Sequence, residues 1–380
     1  MAIIVYGFLL ALGLCIGSFL NVVILRMPEG LSVVHPPSRC PRCGTGLRAI
    51  DNIPVLSWLM LRGQCRGCSQ PISIQYPLVE LAFGLLTLGL GWWQINTWAP
   101  NLPILDALRL LGPLLITQLV LLACLFAATL IDARHYIIPL SLCWVPFFVA
   151  ITLMPVSVAT GWPAIGPTLP IGWTEPVGGL TLGVLISIAL LQLGVIPRSY
   201  ADYEQVMQDL TGQQADSDVA AENALYPHAR RETLKELLFL LPPTLGLIAG
   251  VILSSPTPTT GWLETLLAAL AGAIFGAGLV WGTRILGTLA FGKEAMGLGD
   301  VHLMAGVGAV LGWRDVTLAF FIAPFLGLLG TFALTGLASV RSAEARVIPY
   351  GPYLAVGSII ALLASDPILE ALGFSGIFTP

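Results

Sequence analysis

The sequence predicts an all-α, polytopic integral membrane bundle of eight to ten transmembrane helices with one small cytoplasmic loop domain. Three observations lead there. First, 56% of the residues are apolar and 10% charged, with a mean hydropathy of +0.87, whereas soluble domains carry about 25% charged residues. Second, the apolar residues fall into runs of bilayer-spanning length, about 20 residues each. Third, the basic residues gather in the connections between runs, on one side only. The lipid bilayer is the expected surrounding, and no feature points to nucleic acid.

The first element is residues 1–25, apolar from the start and without a basic leader region, so a retained helix is expected rather than a cleaved signal. A polar segment, 26–75, follows. Spans are then expected near 76–95, 109–131, 137–156 and 176–196. A second polar segment, 197–236, is rich in Asp, Glu, Gln and Ala and reads as a cytoplasmic insertion. After it come 237–253, 263–289, 301–313, 315–339 and 348–365. The chain thus divides into 1–25, 26–75, 76–196, 197–236 and 237–380. The short runs 237–253 and 301–313 are the doubtful crossings by length. Counting both leaves only Arg109 and Arg314, of seventeen Lys and Arg, on the side opposite segment 26–75. The bias of basic residues toward the cytoplasm therefore favours ten crossings.

Segment 26–75 holds Cys40-Pro-Arg-Cys43-Gly and Cys65-Arg-Gly-Cys68. Two CxxC turns at this spacing suit a tetrahedral, four-thiolate zinc site. Such a site is closed and structural. Gly44 and Gly67 fit the tight turns, and the flanking arginines are expected to lower the thiol pKa values. A disulfide pair is the alternative, disfavoured by a reducing cytosol. Cys15, Cys124 and Cys143 sit singly in apolar runs and read as packing residues.

Carboxylates in or beside membrane spans are costly and mark functional sites. Asp132 ends the run 109–131. Asp300 lies in Met296-Gly297-Leu298-Gly299-Asp300. In the alternating topology both fall at the cytoplasmic surface. Two close carboxyls can share one proton: the ionised one activates a water and the protonated one polarises a carbonyl. Gly297 and Gly299 would let a substrate strand approach the backbone. Taken singly, Asp132 also suits an interfacial pair with Arg134, and a lone GxGD is a weak signal. The histidines show no metal-binding spacing. Glu80 reads equally as functional or interfacial, and Ser18 as a packing residue.

Together these residues resemble the prepilin peptidase (type IV leader peptidase) family of GxGD-type membrane aspartic peptidases. The resemblance is carried by Gly17-Ser18-Phe19-Leu20-Asn21, the paired knuckles, Pro54-Val55-Leu56-Ser57-Trp58, Tyr76-Pro77-Leu78-Val79-Glu80, Asp132 through Pro139, Gly297–Asp300 and Ile348-Pro349-Tyr350-Gly351-Pro352-Tyr353. It leaves out about 157–262. It implies catalysis by Asp132 and Asp300 at the cytoplasmic face of the bacterial inner membrane. The implied substrates are type IV prepilins or type II secretion pseudopilins, cut after a glycine. It also implies methylation of the new N-terminus with S-adenosylmethionine. Two substitutions depart from the family pattern: His302 stands where Lys is usual, and Leu140 where a polar residue often follows Pro139. Spans 176–196 and 237–253 look like an inserted pair. Other readings of the same residues are an intramembrane protease of other substrates and a non-enzymatic transporter or assembly scaffold with a zinc domain.

Overall fold

The computed structural model describes residues 1–40, 42–199, 229–255, 261–292, 296–337 and 349–374. Most of the insertion 197–236, and Lys293, Arg341, Arg346 and Ile348, lie outside the described residues. The described residues are helical, with no strand beyond two isolated bridges in the cysteine segment. The long helices are α1 (Ala2–Arg26), α3 (Gln75–Trp98), α4 (Ile104–His135), α5 (Leu140–Ala159), α6 (Thr174–Gln192), α7 (Ala229–Leu253), α8 (Trp262–Phe291), α9 (Leu298–Leu337) and α10 (Gly351–Ala371). A 3₁₀ turn, Ala49–Asn52, and the short α2 (Leu56–Met60) lie in the cysteine segment. Nine helices among the described residues are long and apolar enough to cross a membrane. The chain is a multi-pass membrane protein.

One of the nine is two. Gly312 has φ 85° and ψ 172°, which breaks α9. A β-carbon on Gly276 would meet both the Met304 carbonyl and, at 2.8 Å, Val316 Cγ2. In an unbroken helix those two residues stand about 18 Å apart. The chain therefore reverses at Gly312, and 298–311 and 313–337 form a hairpin against α8. This agrees with separate crossings at 301–313 and 315–339. Arg314 lies just past the turn and bonds Asp315 and Asp366 at 2.9 Å each.

Small residues set the other close contacts. Gly13 and Gly17 of α1 pack on α3, where a β-carbon at Gly17 would stand 2.8 Å from Glu80 Cα. The pair α6–α7 is antiparallel. Gly179 faces Gly246, Gly183 faces Pro242, and the Ser187 hydroxyl donates to the Phe239 carbonyl at 2.6 Å. This pair docks on α8 through the buried ion pair Arg284–Glu236, 2.7 Å, and through Trp281, whose indole N–H also donates to Glu236.

The largest apolar cluster runs through α1, α3, α4, α5, α8, α9 and α10, with Phe83, Leu125, Ile131, Met304 and Leu354 fully enclosed. Side chains such as Phe8, Leu185, Ile252 and Phe325 are exposed outward, as a bundle surrounded by lipid requires.

Candidate active site and metal centre

Asp132 lies in the last turn of α4, which closes at Tyr136 in the left-handed conformation, φ 54°. The Tyr136 N–H donates to the Asp132 carbonyl at 3.0 Å. Asp300 lies in the first turn of α9. Both side chains are buried, at 6% and 8% exposure. Burying one carboxyl among apolar helices is costly, and burying two near each other more so.

Three elements bring the pair together. Ile138, in the turn between α4 and α5, is the wedge. A β-carbon on Gly299 would meet Ile138 Cβ at 3.3 Å, and one on Gly351 would meet Ile138 Cδ1 at 3.1 Å. The first turns of α9 and α10 thus close on the last turn of α4. The Gly351 N–H donates to the Asp132 carboxylate, and Asp300 lies within electrostatic reach of Asp132, Cys143 and Tyr350. Gly297 borders Asp300, its β-position 3.6 Å from Oδ2. His302 points elsewhere. Its Nδ1 pairs with the Leu298 carbonyl at 2.8 Å, and its ring packs edge-on against Trp144. Ile138, Tyr350 and Gly351 are site residues that residue chemistry alone does not single out. Their only trace in the sequence is a place in motifs around Pro139 and Pro349.

The four cysteines of the loop form one cluster. Their sulfurs all lie within 4.8 Å of one another, with Cys40–Cys68 and Cys43–Cys65 at 3.9 Å. A zinc tetrahedron with Zn–S bonds of about 2.3 Å needs sulfurs about 3.8 Å apart, so the donor set fits zinc. None of these cysteines is in a disulfide. The two knuckles repeat one backbone pattern: Cys40 N–H to Thr45 and Cys65 N–H to Gln70, then Gly44 N–H to Cys40 and Ser69 N–H to Cys65.

Two expectations about this loop change. The left-handed position of the second knuckle belongs to Ser69, φ 54°, not to Gly67. Gly67 instead packs against the first knuckle, near Thr45 and Cys43. Nor do the arginines tune the thiols. Hydrogen bonds from Thr45 pull Cys43 down to about 6, and backbone N–H groups of Cys68 and Gly67 lower Cys65. A backbone hydrogen bond from Gln70 opposes the rise of Cys68, but burial and the neighbouring thiols push it up to about 11. Arg66 is engaged elsewhere, bonding Asp51 at 2.6 Å and holding that carboxyl below the usual range.

The loop folds over the ends of α1 and α3 and encloses a cavity of about 640 Å³. Its neighbourhood and the carboxyl pair share one end of the bundle. Arg134, two residues past Asp132, donates to Gln75 Oε1 at 2.9 Å, and the Ser141 hydroxyl reaches Met27 Sδ at 3.6 Å.

Comparison with known proteins gives two family matches. Residues 11–94 match the bacterial peptidase A24 N-terminal domain, and residues 237–332 match the type IV leader peptidase family. The first match contains the four cysteines and the second contains Asp300. Among relatives, a prepilin leader peptidase/N-methyltransferase of Myxococcus xanthus is 48% identical over 139 residues, 36% of either chain. Proteins of the same description from Aeromonas hydrophila and Pseudomonas aeruginosa are 28% and 29% identical. They cover 93% and 96% of this chain and 89% and 92% of their own. No solved structure matches.

Proposed function

We propose that this chain, which belongs to the type IV leader peptidase family, removes the leader of prepilins or pseudopilins by aspartic catalysis and methylates the new N-terminus. The observation that carries the peptidase reading is the convergence of Asp132 and Asp300, both buried, at one end of the bundle.

In this reading the pair holds one proton between its carboxyls. The ionised carboxyl takes a proton from a water as that water attacks the scissile carbonyl. The protonated carboxyl donates to the carbonyl oxygen as negative charge develops there. The Gly351 N–H orients the Asp132 carboxylate. Gly297, exposed beside Asp300, leaves the backbone open for an extended substrate segment, whereas Gly299 is packed against Ile138. The site faces the cytoplasm of a bacterial inner membrane, because the basic residues concentrate at the end where it lies. The four cysteines hold a structural zinc that fixes the loop over α1 and α3. S-adenosylmethionine, when bound, supplies the electrophilic methyl group, and the relatives named as N-methyltransferases support that second activity.

The test is incubation of the detergent-solubilised protein with a prepilin-like substrate carrying a short basic leader that ends in glycine before an apolar helix. Mass spectrometry then reads the cut and any added methyl. Cleavage after the glycine by the parent, and none by Asp132→Asn or Asp300→Asn, is the expected result. Cleavage retained by both variants would sink the assignment.

A further inference from the structure

The end of the bundle away from the carboxyl pair carries a polar cavity that leader cleavage does not use. α4 has 32 residues, so its two ends lie about 48 Å apart. Asp132 is at one end. Asp106 and Arg109 are near the other, and they line a cavity of about 360 Å³ together with Thr160 and Trp162, which follow α5.

This end lies at the level of lipid headgroups. Trp98 closes α3, Trp162 and Trp173 lie between α5 and α6, and Trp262 opens α8, and all four are exposed. Tryptophan gathers at the boundary between membrane and water, where its ring meets lipid and its N–H meets water. Few basic residues stand here. Arg314 is paired with Asp315 and Asp366 at 2.9 Å each. Arg109 makes no ion pair among the described residues, although Asp106 is one turn away on the same helix. An unpaired cation at the end that basic residues otherwise avoid calls for an anionic partner.

The polar groups of the cavity are of two kinds. The Arg109 guanidinium and the Trp162 indole N–H are donors without partners among the described residues. The Asp106 carboxylate accepts. So does the Thr160 hydroxyl oxygen, whose own hydrogen is committed to the Val156 or Ser157 carbonyl, each at 2.9 Å. The Trp162 ring lies against α4, 3.9 Å from where a β-carbon on Gly112 would stand. Residues three apart on a helix are neighbours, about 5–6 Å between β-carbons. A ligand that satisfies both kinds therefore carries a phosphate and an ammonium on one short link.

We propose that this cavity binds the headgroup of phosphatidylethanolamine, with its phosphate on Arg109 and the Trp162 N–H and its ammonium on Asp106. A guanidinium matches phosphate oxygens with paired, charge-assisted hydrogen bonds. Phosphatidylglycerol offers the same phosphate but no ammonium, and it would leave Asp106 beside a second negative charge. The headgroup level favours a lipid over a soluble phosphoamine, because acyl chains add apolar contact with the bundle that the solute lacks.

Native mass spectrometry of the full-length protein, titrated with each lipid in detergent, tests the site. Arg109→Gln removes the phosphate's cation, and Asp106→Asn removes the ammonium's anion. Both residues lie far from the carboxyl pair, so leader cleavage and melting temperature serve as checks on folding. The parent is expected to hold one phosphatidylethanolamine about 10-fold more tightly than phosphatidylglycerol, and Arg109→Gln to lose about 10-fold in affinity for either lipid, as the loss of a charged hydrogen bond implies. Asp106→Asn is expected to weaken phosphatidylethanolamine alone and so to abolish the preference. A parent that binds the two lipids equally, or variants that retain phosphatidylethanolamine as the parent does, would overturn the assignment. Competition by acyl-free phosphoethanolamine at the lipid's own affinity would overturn it as well, because the ligand would then be a solute.

Discussion

The carboxylate of Asp132 rests against the backbone of Gly351, where a β-carbon would stand 2.6 Å from Oδ2. The contact joins the last turn of α4 to the first turn of α10, and a side chain at 351 could be placed only by displacing the Asp132 carboxylate. Gly351→Ala is therefore expected to push Asp132 off its position. Misplacement of a reacting group by about 1 Å costs about 10²-fold in rate. Cleavage assays should show a loss of that order, with unchanged membrane insertion and zinc content.

Removing one ionisable group of the pair should cost more. Asp132→Asn and Asp300→Asn keep shape and burial but cannot share a proton. General acid–base catalysis contributes about 10²–10⁴-fold, so each variant is expected to lose at least 10³-fold in leader cleavage. Single-turnover assays on membranes with matched protein levels measure it.

The loop should bind one zinc with a proton dependence that changes with pH. Cys43, near 6, is already a thiolate at neutral pH, while Cys68, near 11, still holds its proton. Zinc binding at pH 7 should thus displace a proton from Cys68. Below about pH 6 it must also displace one from Cys43, so affinity should fall more steeply there. Competition titrations with a chromophoric chelator between pH 5 and 8 show the slope. Asp51, held low by Arg66, adds stability that is present above the usual carboxylate range and is lost as pH falls through its depressed value.

The hairpin at Gly312 makes a topological prediction. Arg314→Cys should react with a membrane-impermeant maleimide added from outside, above the parent's background. The knuckle cysteines should react only after permeabilisation and zinc removal. External silence at 314 with labelling from the inside would rule out the reversal.

The ion pair Arg284–Glu236 is buried, both side chains being under 10% exposed. Breaking such a pair from one side costs about 3–5 kcal/mol, while replacing both partners with apolar groups is often neutral. Glu236→Leu alone should loosen α7 from α8 and lower the melting temperature. Glu236→Leu with Arg284→Met should recover much of the loss.

Much of this was legible in the chain itself. Apolar runs located the helices, because a bilayer tolerates backbone only when its hydrogen bonds close locally, but α7 begins at Ala229, inside the segment read as an insertion and well before the expected 237, and α10 runs to Ala371, past the expected 365. The bias of the basic residues toward one side already favoured separate crossings at 301–313 and 315–339, and the helix break at Gly312 supplies the turn between them. The CxxC spacing set the sulfur cluster, since each short turn brings two thiols together unaided.

What the sequence determined by itself is therefore local: which segments are helical, which thiols cluster, and which carboxylates stand at helix ends. What only the tertiary structure decided is proximity between distant segments. Gly351 against Asp132, Ile138 wedged between Gly299 and Gly351, Ser69 in the place expected of Gly67, and Asn21 Oδ1 buried without a partner all depend on close packing. Whether a β-carbon fits, or a buried oxygen finds a donor, is set by the last ångström between helices, and no residue's own chemistry records that distance.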